Sequence, residues 1–165
     1  MLAVIRIRGE TGIRPQAAKT AALMRLHRVN HMVLVEDNEI NRGMLNVAKD
    51  YVTWGEVEDS TIEMVLKHRS QLKGHQYLDE EELEGVTGYK SYKDLAQALQ
   101  QGKIKYKEIR DIVPVVRLNP PKGGYEAIRK PFGQGGSAGY RGKDINRLIL
   151  TMLKPGVDLN GKNEN

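Results

Sequence analysis

The chain has 165 residues, enough for one domain of ordinary size that buries about two-thirds of the surface its unfolded form exposes. It contains no Cys, which excludes disulfides and thiolate metal sites, is compatible with a reducing compartment, and leaves any nucleophile to another residue type. The net charge of +5 is modest but unevenly placed: residues 1–34 carry six cations and one acid, residues 35–94 seven cations and fourteen acids, and residues 117–147 seven cations and two acids. Two basic ends around an acidic middle suit a protein with one face on a polyanion.

LAVIRIR ends in an apolar–cationic alternation, the period of a half-buried strand whose polar face is basic. The opening MLAVIRIRGE is too short and too charged at Arg6 and Arg8 for a signal-peptide core, and no apolar run reaches membrane-spanning length. A soluble, intracellular protein with no membrane partner is therefore expected. Pro15 can occupy the first turn of a helix through AAKTAALMRL, with Ala18, Ala21, Ala22 and Leu26 on its inner face. A second strand, HMVLVED, precedes a helix with Ile40, Met44, Val47 and Ala48 at helical spacing, and YVTWGEV gives a third strand with Trp54 expected in the core. The first half thus reads β-α-β-α-β.

Ser60 and Glu63 form a capping-box pattern opening a helix with Ile62, Val65 and Leu66 inward. The acidic run at residues 79–84 is read as the solvated start of a short helix, favoured by the helix dipole, rather than as a magnesium site. Ser91 to Asp94 start a further helix carrying Leu95, Ala98 and Leu99, closed by Gly102. DIVPVVRL is expected to be an edge strand, because Pro114 cannot donate to a ladder. NPPKGG breaks regular structure, and residues 125–141 read as an extended loop. Asp144 is the expected N-cap of a last helix with Ile145, Leu148, Ile149, Met152 and Leu153 on one stripe, ended by Pro155 and followed by a disordered polar tail. The expected organisation is one compact domain: a core at 1–58, a helical elaboration at 59–116, a basic glycine-rich extension at 117–154 and a tail at 155–165.

The stretch KPFGQGGSAGYRGKDINRLI packs glycines and cations together. A P-loop needs G-x-x-x-x-G-K-[ST], but here Gly136 precedes Gly142 by six residues and Asp144 stands where the magnesium-binding hydroxyl belongs. Gly133, Gly135 and Ala138 match a bare dinucleotide fingerprint, yet no strand enters directly and too little chain remains for a βαβ unit. No cofactor is therefore expected. The glycines instead let the backbone lie close to another surface while Arg129, Lys130, Arg141, Lys143 and Arg147 neutralise phosphates; the bland alternative is a solvated basic loop. Phe132 reads as a structural anchor and Tyr140 as an anchor or a base-stacking ring. His27, His31, His68 and His75 show no metal-ligand spacing, and His27 and His31 read as polar contacts or RNA neighbours. No set of nucleophile, base and orienting group stands out.

Four ordered stretches, GIRPQAAKTAALMRLHRVNHMVLVEDN, NRGMLNVAKDYVTWGEV, VVRLNPPKGG and GQGGSAGYRGKDINRLI, resemble the large-subunit ribosomal protein thirty family in its long archaeal form, whose eukaryotic counterpart is large-subunit protein seven. The resemblance covers most of residues 1–154 and is weakest over 70–110. It implies an α/β (α+β) fold related to the ferredoxin-like class, with a three-stranded antiparallel sheet backed by helices, a helical elaboration and a docking carboxyl-terminal helix. It also implies a non-enzymatic, cytoplasmic constituent of the large ribosomal subunit that contacts 23S-type rRNA and neighbouring ribosomal proteins, lies near 5S rRNA, and takes no small-molecule substrate. The family's basic helix-end motif falls on Lys19, Thr20, Arg25, Arg28 and Asn30, and its arginine-glycine-methionine motif on Arg42, Gly43 and Met44. Pro121, Lys122, Gly123 and Gly124 match its proline-basic-glycine-glycine turn, with Lys122 where many relatives have Arg. Gly135, Gly136, Gly139 and Arg141 match its glycine loop, and Ile145, Asn146, Arg147 and Leu148 its closing helix. The alternatives are a free RNA-binding regulator acting away from the ribosome and a small nucleotide-binding enzyme using the glycine-rich loop.

Overall fold

A computed structural model describes residues 1–153. The expected helix stop at Pro155 and the tail at 155–165 lie outside the described residues. Strand β1 (Leu2–Arg6) runs through the middle of the sheet, antiparallel to β2 (His31–Val35) on one side and to β3 (Val52–Glu56) on the other. Helices α1 (Pro15–Leu23) and α2 (Glu39–Ala48) connect these strands, so the β-α-β-α-β order and its antiparallel core are as expected.

Side chains alternate across each strand, so β1 feeds two cores at once. Leu2 and Val4 face α1 and α2, where they meet Ala21, Met24, Leu26, Val33, Leu45, Ala48 and Val52. Ala3 and Ile5 face the opposite layer of α3 (Asp59–Arg69), α4 (Glu80–Thr87), α5 (Tyr92–Gln100) and α6 (Asp144–Thr151).

Two helix faces are rotated from the expected ones. In α1 the buried stripe is Ala17 and Ala21, continued by Met24, while Ala22 is exposed. Alanine on every side leaves the stripe ambiguous in sequence. In α2 it is Leu45 and Ala48, with Met44 at the margin and Ile40 and Val47 exposed. Asn38 caps this helix: its side-chain oxygen accepts from Asn41 N at 2.8 Å, and Asn41 Nδ2 donates back to Glu36 O at 2.8 Å.

The Ser60–Glu63 capping box does not form. Glu58 holds the N-cap position without a side-chain bond, and its amide is instead bound by Asn146 Oδ1 of α6 at 2.8 Å. Ile62, Val65 and Leu66 are nonetheless buried as expected. Asp79 and Ser91 cap α4 and α5 through their side chains, and Glu80, Glu81 and Glu82 fill the first turn of α4, the solvated helix start that was expected.

Edge strand β4 (Val116–Arg117) pairs with β2 just beyond Pro114. Residues 125–141 are not one extended loop. They form β5 (Ala127–Pro131), a short 3-10 turn and β6 (Gly136–Tyr140), which lengthen the sheet to the order β4-β2-β1-β3-β6-β5. Strand β6 runs parallel to β3 and is held by main-chain and hydroxyl bonds, Arg141 N to Trp54 O at 2.9 Å and Thr53 Oγ1 to Gly139 O at 2.8 Å. A glycine-rich strand held in this way has no apolar alternation to betray it. Asp144 is the first residue inside α6, and Lys143 takes the cap position.

Candidate nucleic-acid interface

Helix α1 stops in a Schellman arrangement: Arg25 N donates to Ala22 O at 3.0 Å and Leu26 N to Ala21 O at 2.8 Å. The left-handed position of such a stop usually holds glycine, but here it holds Arg25 at φ 63°. The connection then carries exposed His27 and Arg28 to Asn30, also left-handed at φ 70°. Arg25 and Arg28 have no ion pair among the described residues. Lys19 is exposed on α1, and Thr20 is half-buried, its carbonyl accepting from Met24 N.

Under this helix end lies a row of basic side chains on adjacent strands. Ile5 pairs with Met32, which makes Arg6 and His31 the next residues along β1 and β2, and His31 pairs with Arg117 of β4. Arg6 is 3% exposed; its Nε donates to Arg8 O and its Nη1 to Leu26 O, each at 2.8 Å, while Nη2 is buried without a partner. Arg6 therefore staples the end of α1 to the sheet. Burial, followed by the fields of Arg117, Arg28, His27 and Arg6, lowers the proton affinity of His31, whose Nδ1 is also unpartnered. The alternation of LAVIRIR pointed to Arg6, but nothing local in the sequence signalled that His31 and Arg117 would flank it. That juxtaposition is a property of strand register.

Asn30 is occupied by its own chain. Its amide donates to Arg6 O, its carbonyl accepts from Leu118 N, and its side-chain oxygen accepts from the Tyr125 hydroxyl at 2.6 Å. Burial raises the Tyr125 pKa, which keeps that hydroxyl a donor. Lys122, Gly123 and Gly124 form the turn just before Tyr125, with Lys122 N bound to Thr151 O, so the extension is tied both to the helix end and to α6.

The remaining candidates do not join this cluster. Arg42 is exposed on α2 and forms a two-pronged pair with Asp37, at 2.5 and 2.9 Å. Gly43 faces solvent, and a Cβ placed there would meet nothing within 4 Å. Arg129 and Lys130 are exposed on edge strand β5, at the opposite side of the sheet from β4. Gly135 closes the 3-10 turn at φ 82°, whereas Gly136 is buried and a Cβ there would come within 2.0 Å of Lys130 O. The close approach that Gly136 permits is thus to its own strand partner.

Arg141 is half-buried: Nε donates to Thr53 Oγ1 at 2.7 Å, Nη2 to Ser137 O at 2.8 Å, and the guanidinium lies 4.9 Å from the centre of the Phe132 ring. It locks the glycine-rich strand to β3, and Phe132 is the anchor it was expected to be. Lys143 and Arg147 are exposed at the start and on the outer side of α6. Trp54, expected in the core, is half-buried, its ring 6.3 Å from that of the exposed Tyr140. Among the described residues no group of His, Asp and Glu could hold a metal ion, and no helix is long and apolar enough to cross a membrane.

Comparison with known proteins finds relatives along the whole chain. The family model described as Ribosomal protein L30p/L7e matches residues 2–52. The chain is 63% identical over 165 residues to the large ribosomal subunit protein uL30 of Thermoplasma acidophilum, and 60% identical over 165 residues to that of Thermoplasma volcanium, covering all of both chains in each case. It is 42% identical over 153 residues to the uL30 of Methanobrevibacter smithii, which spans 93% of this chain and all of the relative.

Proposed function

Because the chain belongs to the Ribosomal protein L30p/L7e family, a family of ribosomal proteins and not of enzymes, we propose that it is a structural constituent of the large ribosomal subunit that binds 23S-type rRNA through the α1 end. Its neighbours are 5S rRNA and other ribosomal proteins, and its compartment is the cytoplasm. The observation that carries this reading is the cationic corner where Arg25 and Arg28, without acidic partners among the described residues, stand over the Arg6–His31–Arg117 row. Arg6 and Arg117 flank His31 and disfavour its protonation, and an anion lying over the corner offsets that crowding of positive charge.

A phosphodiester backbone supplies such anions at regular spacing. Each cation that neutralises a phosphate releases condensed counterions, while the packed core fixes where the cations stand. Specificity comes mainly from RNA shape, since the exposed side chains are cations rather than base-reading amides. Lys19 extends the corner along α1, and exposed Lys122 begins the turn that leads into Tyr125, whose hydroxyl is bound to Asn30. Arg42 with Gly43, and Arg129, Lys130, Lys143 and Arg147, form outlying contacts; the open space over Gly43 leaves room for a backbone to approach α2. Asn30, Arg141 and Gly136 serve this reading by holding the surface together.

The test is fractionation of native extract on a sucrose gradient after a moderate-salt wash, with the chain located by mass spectrometry. Near-stoichiometric recovery in the large subunit is expected. Recovery only at the top of the gradient, with ribosomes intact, rejects the structural role in favour of a free RNA-binding regulator.

A further inference from the structure

We propose that the cavity between α2 and the β3–β6 pair, lined by Leu2, Arg42, Asn46, Trp54, Glu56 and Tyr140, seats one unpaired base of bound RNA; the inference rests on the rRNA-binding reading above. Its volume of about 360 Å³ lies within the range of small-molecule clefts. Tyr140 is 54% exposed, yet its hydroxyl is bound to the Glu56 carboxylate, at 2.6 and 2.8 Å from the two oxygens. An exposed ring held at its far end is a fixed stacking platform, and every base has a face to lay on it.

Trp54 forms the wall. The Trp54 and Tyr140 rings are already in tilted contact, 6.3 Å between centres at 49°, so a base lies against the open face of Tyr140 instead of slipping between the two. The charges select a base over a phosphate. Arg42 is the cation of the cavity and is engaged by Asp37, while Glu56 adds a second acid. A phosphate is repelled here, whereas an exocyclic amine is welcome: a carboxylate accepts a hydrogen bond from cytosine N4, and the amines of adenine and guanine offer the same donor. Uracil offers no amine. Asn46, exposed and with no side-chain partner among the described residues, can answer the rest of a base edge. The cavity also joins two parts of the proposed interface, since Arg42 lines it on α2 and β6 leads from it to Arg141.

Trp54 is the only tryptophan of the chain, so its emission reports on this cavity alone. In the stoichiometric complex with large-subunit rRNA, Trp54 emission is expected to be quenched. Tyr140→Ala should weaken rRNA binding by roughly tenfold, and Tyr140→Phe, which keeps the ring, by much less. Short unstructured oligoribonucleotides should quench more strongly when built of cytidine than of uridine, and Glu56→Gln should narrow that difference. If rRNA binds by gel shift but Trp54 emission and the Tyr140→Ala affinity are unchanged, the base site is rejected while the rRNA reading stands. Equal or absent quenching by the two oligonucleotides rejects it as well. Quenching that needs a second ribosomal protein rather than RNA assigns the cavity to a protein side chain, and loss of all rRNA binding overturns both readings.

Discussion

Arg25 occupies a backbone position at which glycine is the common choice. A non-glycine residue there costs roughly 1–2 kcal/mol relative to the right-handed region. Its N–H serves the Schellman stop as any amide would, so the local structure gives no reason for an arginine. Arg25→Gly is therefore expected to leave stability unchanged or raise it by up to about 1 kcal/mol in urea titration, the relief of strain being offset in part by the greater unfolded-state entropy of glycine. It should weaken rRNA binding at the same time. A variant that loses more than about 1 kcal/mol shows that the side chain is retained for folding, and one that binds rRNA as tightly as before takes Arg25 out of the contact surface.

His31 supplies a second residue-scale test. It faces Arg6 from β1, Arg117 from β4, and Arg28 and His27 from the connection after α1, and with burial these disfavour its protonated form. The unfolded chain then binds the proton more tightly than the folded one. Stability is full above the ordinary histidine value of 6.5 and declines as pH falls below it, until the lowered folded-state value is passed. His31→Gln should flatten this part of a plot of melting temperature against pH. An unchanged acid limb in the variant assigns the loss to the carboxylates.

At the scale of elements, the order of strands and helices in residues 1–56 was legible because each element has its own punctuation: Pro15 at a helix start, and turn residues between Val35 and Glu39. The helix rotations were not, since the alanine-rich α1 offers several equivalent faces and the apolar residues of α2, Ile40, Met44, Leu45, Val47 and Ala48, fit more than one stripe. Strand β6 was invisible because its pairing rests on backbone groups and on Arg141, whose charge suggested an RNA contact instead of a lock. The site was legible as a set of cations. Which of them cluster depends on register, and Arg6, His31 and Arg117 come together only when β1, β2 and β4 do.

The two cores divide the same sequence differently. The layer under α1 and α2 is built from residues between Leu2 and Val52, the span of the family match, with Trp54 and Val115 at its margin. The opposite layer mixes β1, α3, α5 and α6. Ile145, Ile149, Met152 and Leu153 are fully buried there, and at ~1.5–3 kcal/mol per side chain their loss is comparable to a whole domain's stability of ~5–15 kcal/mol. A chain ending at residue 116 is accordingly expected to show no cooperative thermal transition. A sharp transition in that fragment, with the circular dichroism of folded helices, shows instead that the basic extension is a separable addition.

Across the whole molecule, basic and acidic side chains gather on different elements. The α1 end and the Arg117 edge are basic, while the first turn of α4, in the other layer, carries Glu80, Glu81 and Glu82. Such polarity turns the basic corner toward a polyanion and the acidic helix away from it. If the corner binds phosphates, its worth is read in the salt dependence of binding, where each neutralised phosphate contributes about 0.7–0.9 to the slope of log affinity against log salt. Replacing both Arg25 and Arg28 by Ala should lower that slope by roughly 1.4–1.8 in gel-shift titrations with large-subunit rRNA, leaving the circular dichroism spectrum unchanged. Replacing Glu80, Glu81 and Glu82 by Gln should leave the slope nearly as it was, because those side chains release no counterion from the RNA. A fall of less than about half a unit in the double arginine variant means fewer than one phosphate lost, and takes the α1 end out of the contact surface.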